Sequence, residues 1–227
     1  MNGTRRLIVA IDGPAGAGKS TVAGRLAAHF GLLNLETGAM YRAFALKAIE
    51  KGIAFDNDAA LEQLAVVTSI ALEPTPSGNR VLLDGIDVTA RIRDAAVTKA
   101  ASQVSVHPPI RRWMVGLQRK LGEKGGIVME GRDIGTVVFP NADIKIFLDA
   151  SPEARGERRY EQSGKASTQE AILREIRERD QRDRNREQSP LKPAPDAVVI
   201  DSTRLTLEEV VGKVQDLVTA RLALAAE

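Results

Sequence analysis

Cysteine is absent from the 227-residue chain, and histidine is nearly so, with only His29 and His107. No disulfide framework, thiolate metal site or cysteine nucleophile is therefore available. Long apolar runs are missing too. The early run Leu7 to Ile11 is bracketed by Arg5, Arg6 and Asp12, and it is too short for a bilayer span or a secretory signal. The expectation is a soluble cytoplasmic protein that engages no membrane. Charge of one sign is also lacking: the formal net charge is only +2, so the surface as a whole is no nucleic-acid magnet. An Asn-Lys-x-Asp guanine reader does not occur, which argues against a switch GTPase.

What is present begins at Gly13. Residues Gly13, Pro14, Ala15, Gly16, Ala17, Gly18, Lys19 and Ser20 match G-x-x-x-x-G-K-[ST] in full, directly after the apolar run ending at Ile11 and before an Ala-rich helical pattern, Thr21 to Phe30. Glycines at 13, 16 and 18 let backbone N–H groups converge where the helix adds its positive dipole end, so a polyphosphate fits. Lys19 would reach the β and γ phosphates and the Ser20 hydroxyl would complete a Mg²⁺ shell. Thr21 is a second hydroxyl candidate for the nucleotide. A Gly-rich turn that binds nothing is the plain alternative, and the strand-loop-helix order opposes it.

Short β-branched runs then alternate with helical patterns, the signature of βαβ units and a parallel sheet. Strands are expected at Leu7 to Ile11, Leu32 to Leu35, Ile127 to Met129, Ile144 to Leu148 and Ala197 to Ile200. Helices are expected at Thr37 to Lys51, Asp58 to Val67, Asp94 to Val106 and Ile110 to Leu121. In the first of these Tyr41, Phe44, Ala45, Ala48 and Ile49 share a face. Between Ile70 and Val88 the connections are too short for parallel crossovers, and Asp84-Gly85 signals a hairpin, so a small antiparallel insert is expected. Helix starts are marked by Ser151-Pro152 and by capping boxes at Ser167 to Glu170 and Thr206 to Glu209.

The expected architecture is α/β: a P-loop NTPase fold with a five-stranded parallel sheet, helices on both faces, a small antiparallel β insert and a short helical lid. The core takes 1–69, 100–151 and 191–227, the insert 70–99 and the lid 152–190. Ligands in such sheets sit at the carboxyl ends of the strands, which selects Glu36, Thr37, Tyr41 and Arg42, then Glu130, Gly131, Arg132 and Asp133, then Asp149. The Arg-rich stretch Arg174 to Arg186 carries Glu175, Glu178, Asp180 and Asp183 between its arginines. Pairs such as Glu175 with Arg179, Glu178 with Arg182 and Asp180 with Arg184 would support a solvated helix. High polarity, Gly164 and the lack of a continuous apolar stripe suggest that residues 152–190 dock weakly and close over nucleotides. Arg155, Arg158 and Arg159 read either as a clamp on a transferring phosphoryl group or as surface partners of Glu157 and Glu161.

The P-loop, Glu36-Thr37-Gly38-Ala39-Met40-Tyr41-Arg42, Ala101-Ser102-Gln103-Val104, Gly131 to Pro140 and Arg182-Asp183-Arg184-Asn185-Arg186, in this order, together resemble the bacterial cytidylate kinase family from about residue 7 to 205. That resemblance implies transfer of the γ-phosphoryl of ATP to CMP or dCMP with Mg²⁺. By the same resemblance Thr37, Arg42, Arg132 and Arg186 would hold the acceptor phosphate, Arg111 and Asp133 would read cytosine, and Ser102, Arg179 and Asp183 would lie near the ribose. Lys19, Arg132, Asp133 and Arg186 are the residues expected to carry catalysis. Tyr41 would line the pocket or the core. Glu36, Glu130 and Asp133 are candidates to orient Mg²⁺ through water. Glu36 stands where the family commonly has Asp.

A dianionic acceptor phosphate needs no general base, since its second pKa is about 6. Neutralising charge, in-line positioning and excluding water are what remain. A small P-loop kinase acting on UMP, dTMP or shikimate, or a regulatory P-loop NTPase, is the alternative. Nucleic acid is not an expected partner, because the charge of the Arg-rich helix is mixed, and a monomer is expected.

Overall fold

A computed structural model describes residues 7–75, 78–162 and 167–224. In chain order the elements are β1 (Ile8–Asp12), α1 (Lys19–Phe30), β2 (Leu33–Glu36), α2 (Thr37–Glu50), α3 (Asp58–Val66), β3 (Ile70–Thr75), β4 (Gly78–Leu83) and β5 (Ile86–Asp87). They continue with α4 (Ala95–Val104), α5 (Pro108–Gly122), β6 (Ile127–Gly131), β7 (Ile144–Asp149), α6 (Pro152–Gln162), α7 (Gln169–Asn185), β8 (Val198–Asp201) and α8 (Leu207–Leu224).

Five strands form the main sheet in the order β2-β6-β1-β7-β8, every neighbouring pair parallel. β1, β6 and most of β7 are buried on both faces, as expected of strands covered by helices on each side. Side-chain alternation divides the core. Ile8 and Ala10 face α2 to α5 together with Ile127 and Met129. Val9 and Ile11 face α1 and α8 with Val128, Leu26 and Val214. The chain leaves β1 toward β2 and later returns to the other flank with β7, so the strand order reverses at β1. A crevice opens at such a switch point, at the carboxyl ends of the strands. Register brings the strand-end acids Glu36 and Glu130 side by side and sets Asp12 beside Gly131.

The antiparallel insert is β3-β4-β5. It docks on the edge strand β2 through Asn79, whose side chain donates to the Asn34 carbonyl at 2.7 Å and accepts from the Glu36 N–H at 3.0 Å. Pro76 and Ser77, between β3 and β4, lie outside the described residues, as does Gly164.

Several sequence expectations need correction. Pro108 and Pro109 open α5 rather than preceding it, because proline suits the first turn, where no N–H is needed. Ile49 turns outward at 41% exposure, one position past the buried stripe of α2. Ser167 does not cap α7: Thr168 does, its hydroxyl accepting from Ala171 N–H at 3.2 Å. The other two signals held, with Ser151 Oγ accepting from Ala154 N–H at 3.1 Å and Thr206 and Glu209 bonded reciprocally.

The charges of α7 act between elements rather than along the helix. Glu175 pairs with Arg159, Arg177 with Glu153, Asp180 with Arg155 and Arg184 with Asp149. The helix has an inner stripe after all, Ile172, Ile176, Asp180 and Asp183, all buried. Half of it is carboxylate, which periodicity of apolar residues alone does not reveal.

Candidate active site

The loop after β1 wraps tightly onto the sheet. Gly13, Gly16 and Gly18 have φ of 149°, 80° and 94°, and a Cβ on Gly13 would stand 2.0 Å from the Leu148 carbonyl oxygen, so only glycine fits there. Helix α1 starts at Lys19 on Gly18, which offers no side-chain cap. Its first N–H groups are thus left to an anion, favoured further by the dipole.

Lys19 is buried and folds back so that Nζ donates to the Pro14 carbonyl at 2.7 Å. Burial, with Arg132 and Arg179 nearby, pushes its pKa down to about 7 against the pull of Glu130 and Asp12. Such a lysine is held ready for negative charge. Ser20 Oγ donates to Glu130 Oε1 at 2.9 Å, and Glu130 is raised above the usual carboxylate range by burial, with Glu36 adding repulsion. Thr21 is turned away from this cavity and lines a neighbouring cleft instead.

Asp12 is a site residue that motif reading passed over. Its carboxylate accepts from Ile134 N–H and Gly135 N–H, both at 2.7 Å, and burial pushes its pKa up to about 7. One strand end thereby fixes the turn that follows β6 and carries Arg132 and Asp133. The available signal was a carboxylate at the strand terminus just ahead of the P-loop.

A cavity of about 200 Å³ adjoins the P-loop. Lys19, Ser20, Thr37, Tyr41, Arg42, Ser102, Arg111, Arg132, Arg179, Asp183 and Arg186 all line it, with Ala15 and Gly16 at its P-loop side. Stretches more than 160 residues apart in sequence thus meet at one place. Thr37 Oγ1 donates to the Glu130 carbonyl at 2.8 Å, and a Cβ on Gly131 would meet Thr37 Oγ1 and Ile134 Cδ1 at 2.8 Å, so glycine there allows the close approach. Arg42 pairs with Glu36. Arg132 Nε donates to Asp183 Oδ2 at 3.0 Å, and Arg182 Nε to Ser102 Oγ at 3.3 Å. Asp183 is held below the usual carboxylate range: burial works against this, but Arg132, Arg179 and Arg186 outweigh it.

Asp133 itself does not line the cavity. It is buried behind Arg111, which donates one terminal nitrogen to it and the other to the Ser105 carbonyl at 3.0 Å. The Tyr41 ring lies 5.8 Å from the Arg111 guanidinium carbon, and burial pushes the Tyr41 hydroxyl up to about 12.

Two features describe what the cavity wants. Lys19, Arg42, Arg111, Arg132, Arg179 and Arg186 outnumber the lining carboxylates Glu36, Glu130 and Asp183. Among the described residues eight buried side-chain polar atoms have no hydrogen-bond partner. Five of them belong to this wall: Tyr41 Oη, Arg42 Nε, Arg111 Nε, Arg179 Nε and one terminal nitrogen of Arg186. Buried donors are rarely left unmatched, so their convergence marks an anionic, acceptor-rich ligand.

Three further arginines take partners other than Glu157 and Glu161. Arg155 is buried and pairs with Asp180 on α7 rather than with Glu157 or Glu161 at the surface. Arg158 donates to the Ser202 carbonyl and hydroxyl, and the half-exposed Arg159 pairs with Glu175.

A family model described as cytidylate kinase matches residues 9–220. Curated relatives named cytidylate kinase include one from Geobacillus kaustophilus (strain HTA426), 50% identical over 221 residues and covering 96% of this chain and 99% of the relative. Another, from Pelotomaculum thermopropionicum, is 52% identical over 216 residues, covering 93% and 96%. A third, from Solibacter usitatus (strain Ellin6076), is 47% identical over 223 residues, covering 96% and 94%.

Proposed function

Since this chain belongs to the cytidylate kinase family, we propose that it transfers the γ-phosphoryl group of ATP to CMP or dCMP, yielding ADP and CDP or dCDP. The observation that carries the substrate class is the ring of five unmatched polar atoms around a cation-rich cavity abutting the P-loop. Two polyanions side by side would satisfy it.

In this reading the triphosphate lies on the backbone amides of Gly13 to Ser20, with Lys19 on its outer phosphates. An oxygen of the acceptor monophosphate attacks the γ phosphorus, the bond to the β–γ bridging oxygen breaks, and ADP leaves with that electron pair. The chain's own residues supply position and charge rather than a base. Thr37, Arg42, Arg132 and Arg186 would grip the acceptor phosphate, and Arg179 and Asp183 would flank the ribose with Ser102. Arg111, oriented by Asp133, would present its free Nε to the acceptor atoms O2 and N3 of cytosine.

Magnesium fits the residues at the P-loop end. Ser20 Oγ and Glu130 lie within hydrogen-bond reach of one another. Among the described residues no group of three or more His, Cys, Asp or Glu side chains could form a full cage. Mg²⁺ keeps several waters and binds chiefly through phosphates, so Ser20 would hold it directly and Glu130 through water. When bound, the cation neutralises charge developing between the β and γ phosphates.

No helix among the described residues is long and apolar enough to cross a membrane, and a monomeric cytoplasmic enzyme is part of the reading. An assay of ATP and Mg²⁺ with CMP, dCMP, UMP, dTMP, AMP and shikimate tests it. CMP and dCMP should dominate by kcat/KM. Turnover no faster with any pyrimidine monophosphate than with ATP alone would overturn the proposal.

A further inference from the structure

Among the described residues Arg155 is the largest fully buried side chain, at 1% exposure, and it does not line the acceptor cavity. Every one of its guanidinium nitrogens is used. Nε donates to the Ala150 carbonyl at 2.9 Å, at the exit of β7. One terminal nitrogen donates at 3.0 Å to the carbonyl of Ala15, inside the phosphate loop, and also at 3.0 Å to Asp180 Oδ1. The other terminal nitrogen completes a two-pronged pair with Asp180 Oδ2. The loop packs on the same side chain, since a Cβ on Gly16 would lie 3.4 Å from Arg155 Cβ.

Asp180 sits on α7 beside Arg179 and one helical turn before Asp183, which in turn holds Arg132 at 3.0 Å. The route from the donor cradle to the acceptor grip is therefore one guanidinium, one carboxylate and one turn of helix. A planar fork bonded at three separate points has a single low-energy placement. A buried ion pair adds little net stability over an apolar substitute, so stability alone is a weak reason for this arrangement.

The geometry points to Arg155, with Asp180, as a positioning pair that couples occupancy of the phosphate loop to the placement of α7, so that donor binding raises the affinity for the acceptor nucleotide. This rests on the kinase reading above. Displacement of the Ala15 peptide by a bound polyphosphate would be felt at Arg155, and through Asp180 at Arg179 and Asp183. Both residues act through others and neither meets substrate.

The test uses the full chain and calorimetry. The dissociation constant for CMP is measured alone and with saturating Mg²⁺ and a nonhydrolysable ATP analogue, giving a coupling factor, for wild type, Arg155→Lys and Asp180→Asn. Wild type should show a factor of about five or more. Both variants should bring it to within about twofold of unity, with CMP binding alone changed less than about threefold and kcat lowered more than KM. Melting temperatures identify any variant that fails to fold, and the other then decides. A purely structural role would lower the melting temperature and leave the coupling factor intact, and that result overturns the inference. So does a wild-type factor of one. Wild type that binds neither nucleotide would instead overturn the kinase reading on which the inference stands.

Discussion

Arg111 and Asp133 form a buried ion pair behind the acceptor cavity, their side chains only 3% and 6% exposed. The arginine faces the cavity while the carboxylate holds it from behind, with the Ser105 carbonyl bonded to the other prong. Base recognition in the proposed reaction would then depend on Asp133 at one remove. Asp133→Ala is expected to lower kcat/KM for CMP by roughly 10- to 100-fold, the scale of about 1–3 kcal/mol per specific base contact, and to narrow the preference over UMP. Because the substitution strands a buried arginine, Asp133→Asn should be run beside it. Steady-state kinetics with both nucleotides decide the matter, and an unchanged CMP/UMP ratio in two folded variants speaks against the role.

Ser20 and Thr21 are adjacent hydroxyls with different surroundings, one bonded to Glu130 at 2.9 Å and one directed at the neighbouring cleft. Ser20→Ala should raise the Mg²⁺ concentration needed for half-maximal rate on the order of tenfold, the weight of one well-placed ligand or hydrogen bond. Thr21→Ala should stay within about twofold. Magnesium titrations of initial rate are the measurement; the reverse ranking would move the metal to the second hydroxyl.

Lys19 titrates near neutrality in the free protein, pushed down to about 7 by burial and by Arg132 and Arg179. A polyphosphate beside it must raise that pKa, so magnesium-free ATP binding at pH 8 should draw a proton from solution. Calorimetry in buffers of different ionisation enthalpy reads this directly as a buffer-dependent heat. Lys19→Met should reduce the uptake and should lower kcat by about a hundredfold or more, with little change in melting temperature. Proton release on binding would contradict the assignment.

Asp12 gives a dependence of stability on pH whose direction is fixed. Its pKa rises from 3.8 to about 7 on folding, so between those values the folded chain keeps a proton that the unfolded chain has lost. The stability this contributes is complete below 3.8 and disappears as pH climbs through 7. Relative to Asp12→Asn, wild type should therefore lose up to about 1.4 kcal/mol per pH unit across that window. Urea unfolding of both proteins at several pH values provides the comparison, and parallel curves would show that Asp12 is ionised throughout.

Motifs held together by local geometry could be read from residue order. The phosphate loop declared itself because glycine spacing, a lysine and a following helix are consecutive, and Asp84-Gly85 announced its hairpin for the same reason. Thr37, Arg42 and Arg132 were selected by their place after strand ends, whereas Arg111 and Arg186 were given a role only through resemblance to a family, since nothing local marks an arginine as facing a cavity rather than solvent. Tertiary partners decided the rest. Asp12 reaches across 122 and 123 positions to two N–H groups, and Arg155 reaches 140 positions back to Ala15, separations at which helical or strand periodicity carries no information. The pairings foreseen along α7 failed for a related reason: carboxylates that could have met an arginine four residues away found better-placed ones on α6 and on the β6 turn.

The placement of β1 between two partners has an evolutionary corollary. A strand flanked on both sides belongs to the last region to open in any local fluctuation, and it carries the donor loop. The acceptor grip draws on the outlying helices α2, α4 and α5, together with Arg132 on the turn after β6 and with α7, which Asp12 and Arg155 tie to β1 and its loop. Changes of acceptor should accordingly arise through these outlying helices, while the energy-delivering half of such a protein is inherited intact.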